Sequence, residues 1–376
     1  FRHTALMEAG LYLHIPFCKS KCAYCDFASF AGQEGNMAAY AEKVQQEIRQ
    51  KAEKYPGTTL STLFIGGGTP SLFPAEKMDK VLTCIHQHFR FHPDAECTCE
   101  CNPGMVTKAF LQMLRRQGIN RLSFGAQCAQ PHLLNMLGRI HTWEDVCSSV
   151  SLARECGFDN INLDLMLGLP GQTEQDVLET LEKALALSPT HLSCYGLIVE
   201  EGTVLARQVE KGLWHLPDEE TERREYALCR HLLLEKGFMQ YEISNFALPD
   251  FHCRHNLDCW RRKEYIGIGS AACGLMGNVR WQNPPSLQDY LNDVPASEEI
   301  ISKEDAMFET MMLGLRTMEG VSEERFEKMH GISLQKVYGE KLQKPLQEKL
   351  VQWQNGYVRL TETGLSLQNR VLVELM

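Results

Sequence analysis

Six strand-like runs, each followed by a helix-like run, fill the first half of the chain and constrain its fold more than any other feature. The runs are Leu11–Phe17, Leu60–Ile65, Glu96–Asn102, Asn120–Gln127, Asn160–Leu167 and His191–Val199. Between them apolar residues recur at helical spacing. Ala41, Val44 and Ile48 share one face, and Val177, Leu181 and Leu185 share another. Thr173, with Asp176 three places on, predicts a capping box that opens the second of these helices. Strands and helices in regular alternation predict an α/β fold with a parallel sheet, open or curled into a barrel.

One face of each strand is polar. Glu96, Thr98, Glu100 and Asn102 alternate with Cys97, Cys99 and Cys101, and Arg121, Ser123 and Gln127 alternate with Leu122, Phe124 and Ala126. Tyr12 and His14, Asn162 and Asp164, and His191, Ser193 and Tyr195 repeat the pattern. A period of two puts each polar set on one side of the sheet. The lumen of an ordinary α/β barrel is filled with branched apolar side chains. Here the polar sides predict a common interior that can hold a ligand. The alternative is an open sheet with one solvated face, which parallel sheets seldom leave bare. Cys97, Cys99 and Cys101 fall on the apolar side and read as core residues, as do Cys84, Cys128, Cys147, Cys156, Cys194 and Cys229.

From Tyr241 to Pro295 the pattern is irregular, and from Lys303 onward helices dominate, with Phe308, Met311, Met312 and Leu315 on one face. A short strand-like end follows at Tyr357–Leu360. The expected regions are 7–235, a barrel; 236–300, a flanking region; and 301–376, a small C-terminal domain. The segment Phe1–Leu6, ahead of Met7, reads as an addition to the natural chain.

Lys and Arg number 38 against 48 Asp and Glu, a formal charge of −10. A net negative chain is a poor general binder of nucleic acid or anionic lipid, so no nucleic-acid partner is expected. No apolar run is long enough to span a membrane, and no basic start with a following apolar stretch marks a secretory signal. A cytoplasmic protein is expected, with its 15 cysteines largely reduced.

Three of those cysteines carry chemistry. Cys18-Lys-Ser-Lys-Cys22-Ala-Tyr-Cys25 follows directly on the first strand-like run, and its lysines and serine mark an exposed loop. Three thiolates can ligate one face of an iron–sulfur cubane and leave one iron open. Zinc is the competing metal, with His14 as a fourth ligand.

The Cys-x3-Cys-x2-Cys loop, with Tyr24 before its last cysteine, resembles that of the radical S-adenosylmethionine superfamily, and Gly66-Gly67-Gly68-Thr69-Pro70 is similar to its glycine-rich motif. Further segments resemble the HemN/HemW group of that superfamily: Leu11-Tyr-Leu-His-Ile-Pro-Phe-Cys18, Glu100-x-Asn102-Pro103-Gly104, Leu137-Gly-Arg139-Ile-His141 and Asp164-Leu-Met-Leu-Gly-Leu-Pro170. The group contains oxygen-independent coproporphyrinogen III oxidases and heme chaperones. The resemblance implies a partial (β/α)6 barrel with a small, mainly helical, winged-helix-like C-terminal domain. It implies a [4Fe-4S] cluster on Cys18, Cys22 and Cys25. It implies S-adenosylmethionine held by Tyr12, Tyr24, Gly67, Gly68, Thr69, Glu100, Gln127, Arg139, Asp164 and Gly196.

Two features resemble the chaperone branch more than the oxidase branch. Asp26-Phe27 follow Cys25 where the oxidases typically carry another cysteine, and only a short stretch precedes the first strand-like run where they carry a longer extension. A third is Cys253-Arg254-His255-Asn256-Leu257-Asp258-Cys259-Trp260, which resembles the HNxxYW signature of that branch with Cys259 where tyrosine is usual. His255 is the candidate heme ligand, with Cys253 and Cys259 as rivals. The implied function is to bind heme and deliver it to acceptor hemoproteins. An electron donor such as a flavodoxin or ferredoxin is implied, with peripheral contact at most with membrane hemoproteins. The alternative is radical decarboxylation of coproporphyrinogen III propionates, for which Arg121, Arg254 and Arg280 are candidate cations.

Overall fold

The computed structural model describes residues 7–376. Phe1–Leu6, read above as an addition, lie outside the described residues. Six strands appear where the sequence predicts them: β1 (Glu8–Ile15), β2 (Thr59–Gly67), β3 (Arg90–Cys101), β4 (Arg121–Gln127), β5 (Asn160–Leu167) and β6 (His191–Gly196). They pair in parallel in the order β1-β2-β3-β4-β5-β6. Helices α1 (Met37–Lys54), α2 (Ala75–His88), α3 (Lys108–Arg116), α4 (Trp143–Glu155), α5 (Glu174–Ala186) and α6 (Glu219–Glu235) run between or after them. Ala41, Val44 and Ile48 of α1 and Val177 and Leu181 of α5 are buried in the main core, as their spacing predicts. Thr173 and Asp176 form the capping box. Cys97, Cys99 and Cys101 lie in the same core. So the apolar side of the sheet faces the helices, and the polar side faces inward.

The irregular region supplies more of the sheet than its pattern suggests. Strands β7 (Met239–Gln240), β8 (Asn245–Ala247), β9 (Tyr265–Ile268), β10 (Cys273–Met276), β11 (Val279–Gln282) and β12 (Ser297–Ile300) extend it at both ends. The full order is β12-β11-β10-β9-β1-β2-β3-β4-β5-β6-β8-β7. β9 is parallel to β1, Gly10 standing opposite Tyr265, so the parallel part has a seventh strand on the far side of the first. The segments are too short for a period of two to register in the sequence. Between β8 and β9 lies α7 (Arg254–Trp260), which packs beneath β2.

The tail has its own core, built on Met311, Leu315, Phe326, Leu334, Val358 and Val371. It begins with α8 (Lys303–Gly314) and contains a three-stranded sheet, β13 (Val321–Ser322), β14 (Val351–Gln354) and β15 (Tyr357–Leu360), in the order β13-β15-β14. Arg262 and Arg280 both reach Glu309 of α8 at 2.8 Å and tie the tail to the sheet. Among the described residues no helix is long and apolar enough to cross a membrane.

Candidate functional site

The polar faces meet in a cavity of about 390 Å³ at the C-terminal ends of β2 to β6. One wall is the cysteine loop. Phe17–Cys18 pairs with Phe30–Ala31 and closes the loop at its base. The Ala23 amide donates to the Leu137 carbonyl at 2.9 Å, and the Ala23 carbonyl accepts from the Leu205 amide at 2.8 Å. This pinning brings Cys18, Cys22 and Cys25 to the cavity wall, half-buried and with their thiols free. Thr69 Oγ1 donates to Cys18 Sγ at 3.5 Å, and Arg139 Nη1 donates to Cys22 Sγ at 3.4 Å. Burial raises the Cys25 thiol above its ordinary pKa. Among the described residues no three His, Cys, Asp or Glu side chains converge as a single metal ion requires. A cubane asks something different, because each thiolate binds its own iron.

The glycine run forms the adjoining wall, the Thr69 amide donating to the Phe17 carbonyl at 2.8 Å. A Cβ on Gly67, whose φ is +108°, would lie 2.5 Å from the His14 ring, and one on Gly68 would lie 2.8 Å from the Phe17 carbonyl oxygen. Only bare backbone fits there. The Gly67 amide donates to Glu100 Oε2 at 3.2 Å. Gln127 follows a bulge between β4 and β5 and adopts φ 65°, so its side chain leaves the strand alternation at the cavity edge. Arg139 Nη2 donates to Gly125 O at 2.8 Å and to Asn102 Oδ1 at 3.1 Å. Asp164 accepts from Ser123 Oγ at 3.0 Å and from Asn162 Nδ2 at 2.8 Å. Burial, helped by Asp164, pushes Glu100 up to about 8. Glu100 and Asp164, both half-buried, thus face the cavity, and their ionised forms favour a cationic ligand.

The structure brings Tyr24, Gly67, Gly68, Thr69, Glu100, Gln127, Arg139 and Asp164 together with the three cysteines around this cavity. Tyr12 and Gly196 stand apart. Gly196 ends β6 one residue beyond Tyr195, which does line the cavity. Tyr12 donates toward His14 Nδ1 at 3.0 Å and lines a second cleft. The three arginines weighed as propionate cations do not line the cavity. Arg121 is buried below it, Arg254 is bonded to the Asp94 carbonyl, and Arg280 is paired with Glu309.

The second cleft, about 550 Å³, opens between β1, β2, α7, β9 and β10. Tyr12, Phe27, Phe64, Tyr265 and Cys273 line it with His255 and Cys259 of α7. Phe27 is 60% exposed and borders both cavities. The His255 ring stacks on Phe64 with centroids 5.2 Å apart. Its Nδ1 lies 2.8 Å from Thr62 Oγ1. With the proton on Nδ1, that nitrogen donates to Thr62 and Nε2 keeps its lone pair, the state in which histidine binds metal. Burial, with Arg121 nearby, lowers His255 to about 4, so the ring is neutral at ordinary pH. Burial pushes the Cys259 and Cys253 thiols up to about 12, which keeps them protonated. Cys253 does not line the cleft; it is fully buried, its Sγ 3.6 Å from Glu96 Oε1. Of the three rival ligands, His255 and Cys259 reach the cleft, and of these the neutral His255 ring can ligate without first losing a proton.

The partners of His255 went unread in the sequence. Thr62 and Phe64 lie inside a strand-like run with no motif, and Tyr265 and Cys273 lie in the irregular region. Glu96 was legible only as a residue of the polar face.

Residues 12–184 match the family model of the Radical SAM superfamily, and residues 301–367 match the HemN C-terminal domain. The heme chaperone HemW of Lactococcus lactis is 36% identical over 97% of this chain and 96% of its own length. That of Bacillus subtilis is 37% identical over 96% of this chain and 97% of its own length. This chain belongs to the HemN/HemW group of the radical SAM superfamily. Coproporphyrinogen III oxidase (HemN) of Escherichia coli superposes with a TM-score of 0.85 at 23% identity, over 98% of this chain and 90% of that one. The shared fold therefore runs through the cavity, the α7 region and the tail of this HemN/HemW-group chain.

Proposed function

We propose that this protein is a heme chaperone. It binds heme through His255 and delivers it to acceptor hemoproteins. A [4Fe-4S] cluster on Cys18, Cys22 and Cys25 and S-adenosylmethionine in the lumen accompany that cargo. The observation that carries the reading is the His255 imidazole, neutral, fixed through Nδ1 and set in an aromatic-lined cleft beside the cysteine-lined cavity. Imidazole is a strong axial ligand of heme iron, and aromatic walls suit a planar macrocycle.

The residues fit the other two groups. Thr69 and Arg139 supply donors to Cys18 and Cys22 sulfurs, the kind of hydrogen bond that tunes an iron–sulfur cluster. Gly67 and Gly68 are packed so closely on the His14 ring and the Phe17 carbonyl that only bare backbone can line the cavity there. Glu100 and Asp164, when ionised, attract a sulfonium cation, and Arg139 keeps one Nη1 hydrogen uncommitted for a carboxylate. When bound, the pair supplies one-electron chemistry. Tyr24, within the loop, packs against the apolar cluster that contains Leu133 and Leu134. A reduced cluster requires an electron donor such as a flavodoxin or ferredoxin, and a cytoplasmic setting is part of this proposal; no helix among the described residues is long and apolar enough to cross a membrane. Contact with membrane hemoproteins is then peripheral.

The discriminating experiment supplies the anaerobically reconstituted protein with coproporphyrinogen III, S-adenosylmethionine and dithionite. The chaperone reading expects coproporphyrinogen to be recovered unchanged. Accumulation of the divinyl product would replace it with the oxidase reading.

A further inference from the structure

Helix α7 begins without a local cap. Cys253 occupies the N-cap position and makes no side-chain bond to the first turn. The free amides are taken instead by Glu96, a residue of β3 more than 150 positions earlier in the chain. Its Oε2 accepts from the Arg254 amide at 3.0 Å, and its Oε1 accepts from the His255 amide at 3.1 Å and faces the Cys253 thiol at 3.6 Å. Glu96 is 4% exposed. A buried carboxylate is a costly cap, since a surface Ser or Asp next to the helix would satisfy the same amides in water. Arg121, itself buried, lies close enough to Glu96 for mutual electrostatic stabilisation.

Glu96 has a companion. Thr62 stands opposite it in the register of β2 and β3, and Thr62 Oγ1 holds His255 Nδ1. Gly10, opposite Thr62 on β1, leaves the space the imidazole needs. A Cβ there would lie 2.9 Å from Thr62 Oγ1 and 3.3 Å from the His255 ring. The ring is therefore fixed at its backbone, at one nitrogen and on its face, and every contact comes from strands rather than loops.

We infer that Glu96 and Thr62 are the positioning pair of the heme ligand: Glu96 sets the place of His255 by holding its amide, and Thr62 sets its tautomer. The inference rests on His255 as the ligand. An imidazole whose free nitrogen is fixed binds iron more tightly, and loss of such an outer partner typically weakens metal binding by about 10–100-fold.

The test uses the full chain loaded with hemin. The variants are Thr62→Val, Thr62→Ser, Glu96→Gln and His255→Ala, with circular dichroism and thermal melts as fold controls. Heme release is followed by transfer to apomyoglobin, and the ligand field by the Soret band and electron paramagnetic resonance. The ligand-free protein is studied by ¹⁵N imidazole NMR. Thr62→Val is expected to speed release by about tenfold or more, to change the spectra and to mix the His255 tautomers. Thr62→Ser is expected to restore all three. Glu96→Gln, which puts an amide donor against amide donors, is expected to speed release without altering the tautomer. Wild-type release, spectra and tautomer in Thr62→Val, with heme lost in His255→Ala, would overturn the positioning role alone. Equal heme in His255→Ala and wild type would overturn the ligand assignment and the pair with it.

Discussion

Thr62 and Glu96 are register partners on adjacent parallel strands, and each reaches a different part of the same histidine. The polar lumen of this sheet therefore does two things at different depths. Near the strand ends it lines the cysteine-walled cavity, and lower down it fixes the helix that carries His255.

The glycine cradle gives a sharp test. Gly67→Ala would put a methyl group into the His14 ring at a backbone φ of +108°. The strain is expected to cost about 1–3 kcal/mol of stability. It is also expected to weaken S-adenosylmethionine binding at least tenfold, as read by calorimetry. Gly171→Ala, at φ +76° with open space around it, is the control for strain without a cavity. It should lose stability but keep affinity.

Removing the cluster is a second test. Cys18→Ala is expected to abolish acid-labile sulfide and the cluster's visible absorbance in protein that still melts cooperatively. Full sulfide and an unchanged spectrum would remove Cys18 from the ligand set.

Glu100 sets a pH dependence. Its raised pKa means that the folded, ligand-free protein holds this proton more tightly than the unfolded chain. That contribution to stability is complete below the ordinary carboxylate range and is lost as pH rises through about 8. A sulfonium ligand favours the ionised form. Affinity for S-adenosylmethionine is therefore expected to increase with pH up to about 8 and then level off, with proton release on binding. Calorimetry in two buffers of different ionisation enthalpy measures the proton. Glu100→Gln should flatten the profile; an unchanged slope would assign the proton to another group.

Space beneath the imidazole matters as much as its bonds. Gly10→Ala is expected to displace the His255 ring and to speed heme release several-fold, with the cluster spectrum intact. Gly35→Ala, where nothing lies within 4 Å of the added Cβ, should release heme at the wild-type rate.

Much of this could be read from the chain because the relevant signals are local. The alternation in Glu96–Asn102 and Asn160–Leu167 marks a polar interior, and Thr173 with Asp176 marks a helix start. The cysteine loop and the glycine run each sit next to a strand that places them. What escaped reading depends on distant partners. Tyr265–Ile268 is four residues long and pairs with β1 from the far side. That pairing puts Tyr12 in the second cleft, so its alternation gave the face and not the pocket. The cap on α7 was equally invisible, because it comes from another strand and not from the flanking sequence.

The central claim is tested most directly by heme retention. Anaerobically reconstituted protein is mixed with hemin, gel-filtered and assayed as the pyridine hemochrome, wild type beside His255→Ala. The account expects about one heme per chain in the wild type and little in the variant, with both retaining their cluster. Equal heme in the two, or none in the wild type, would contradict it.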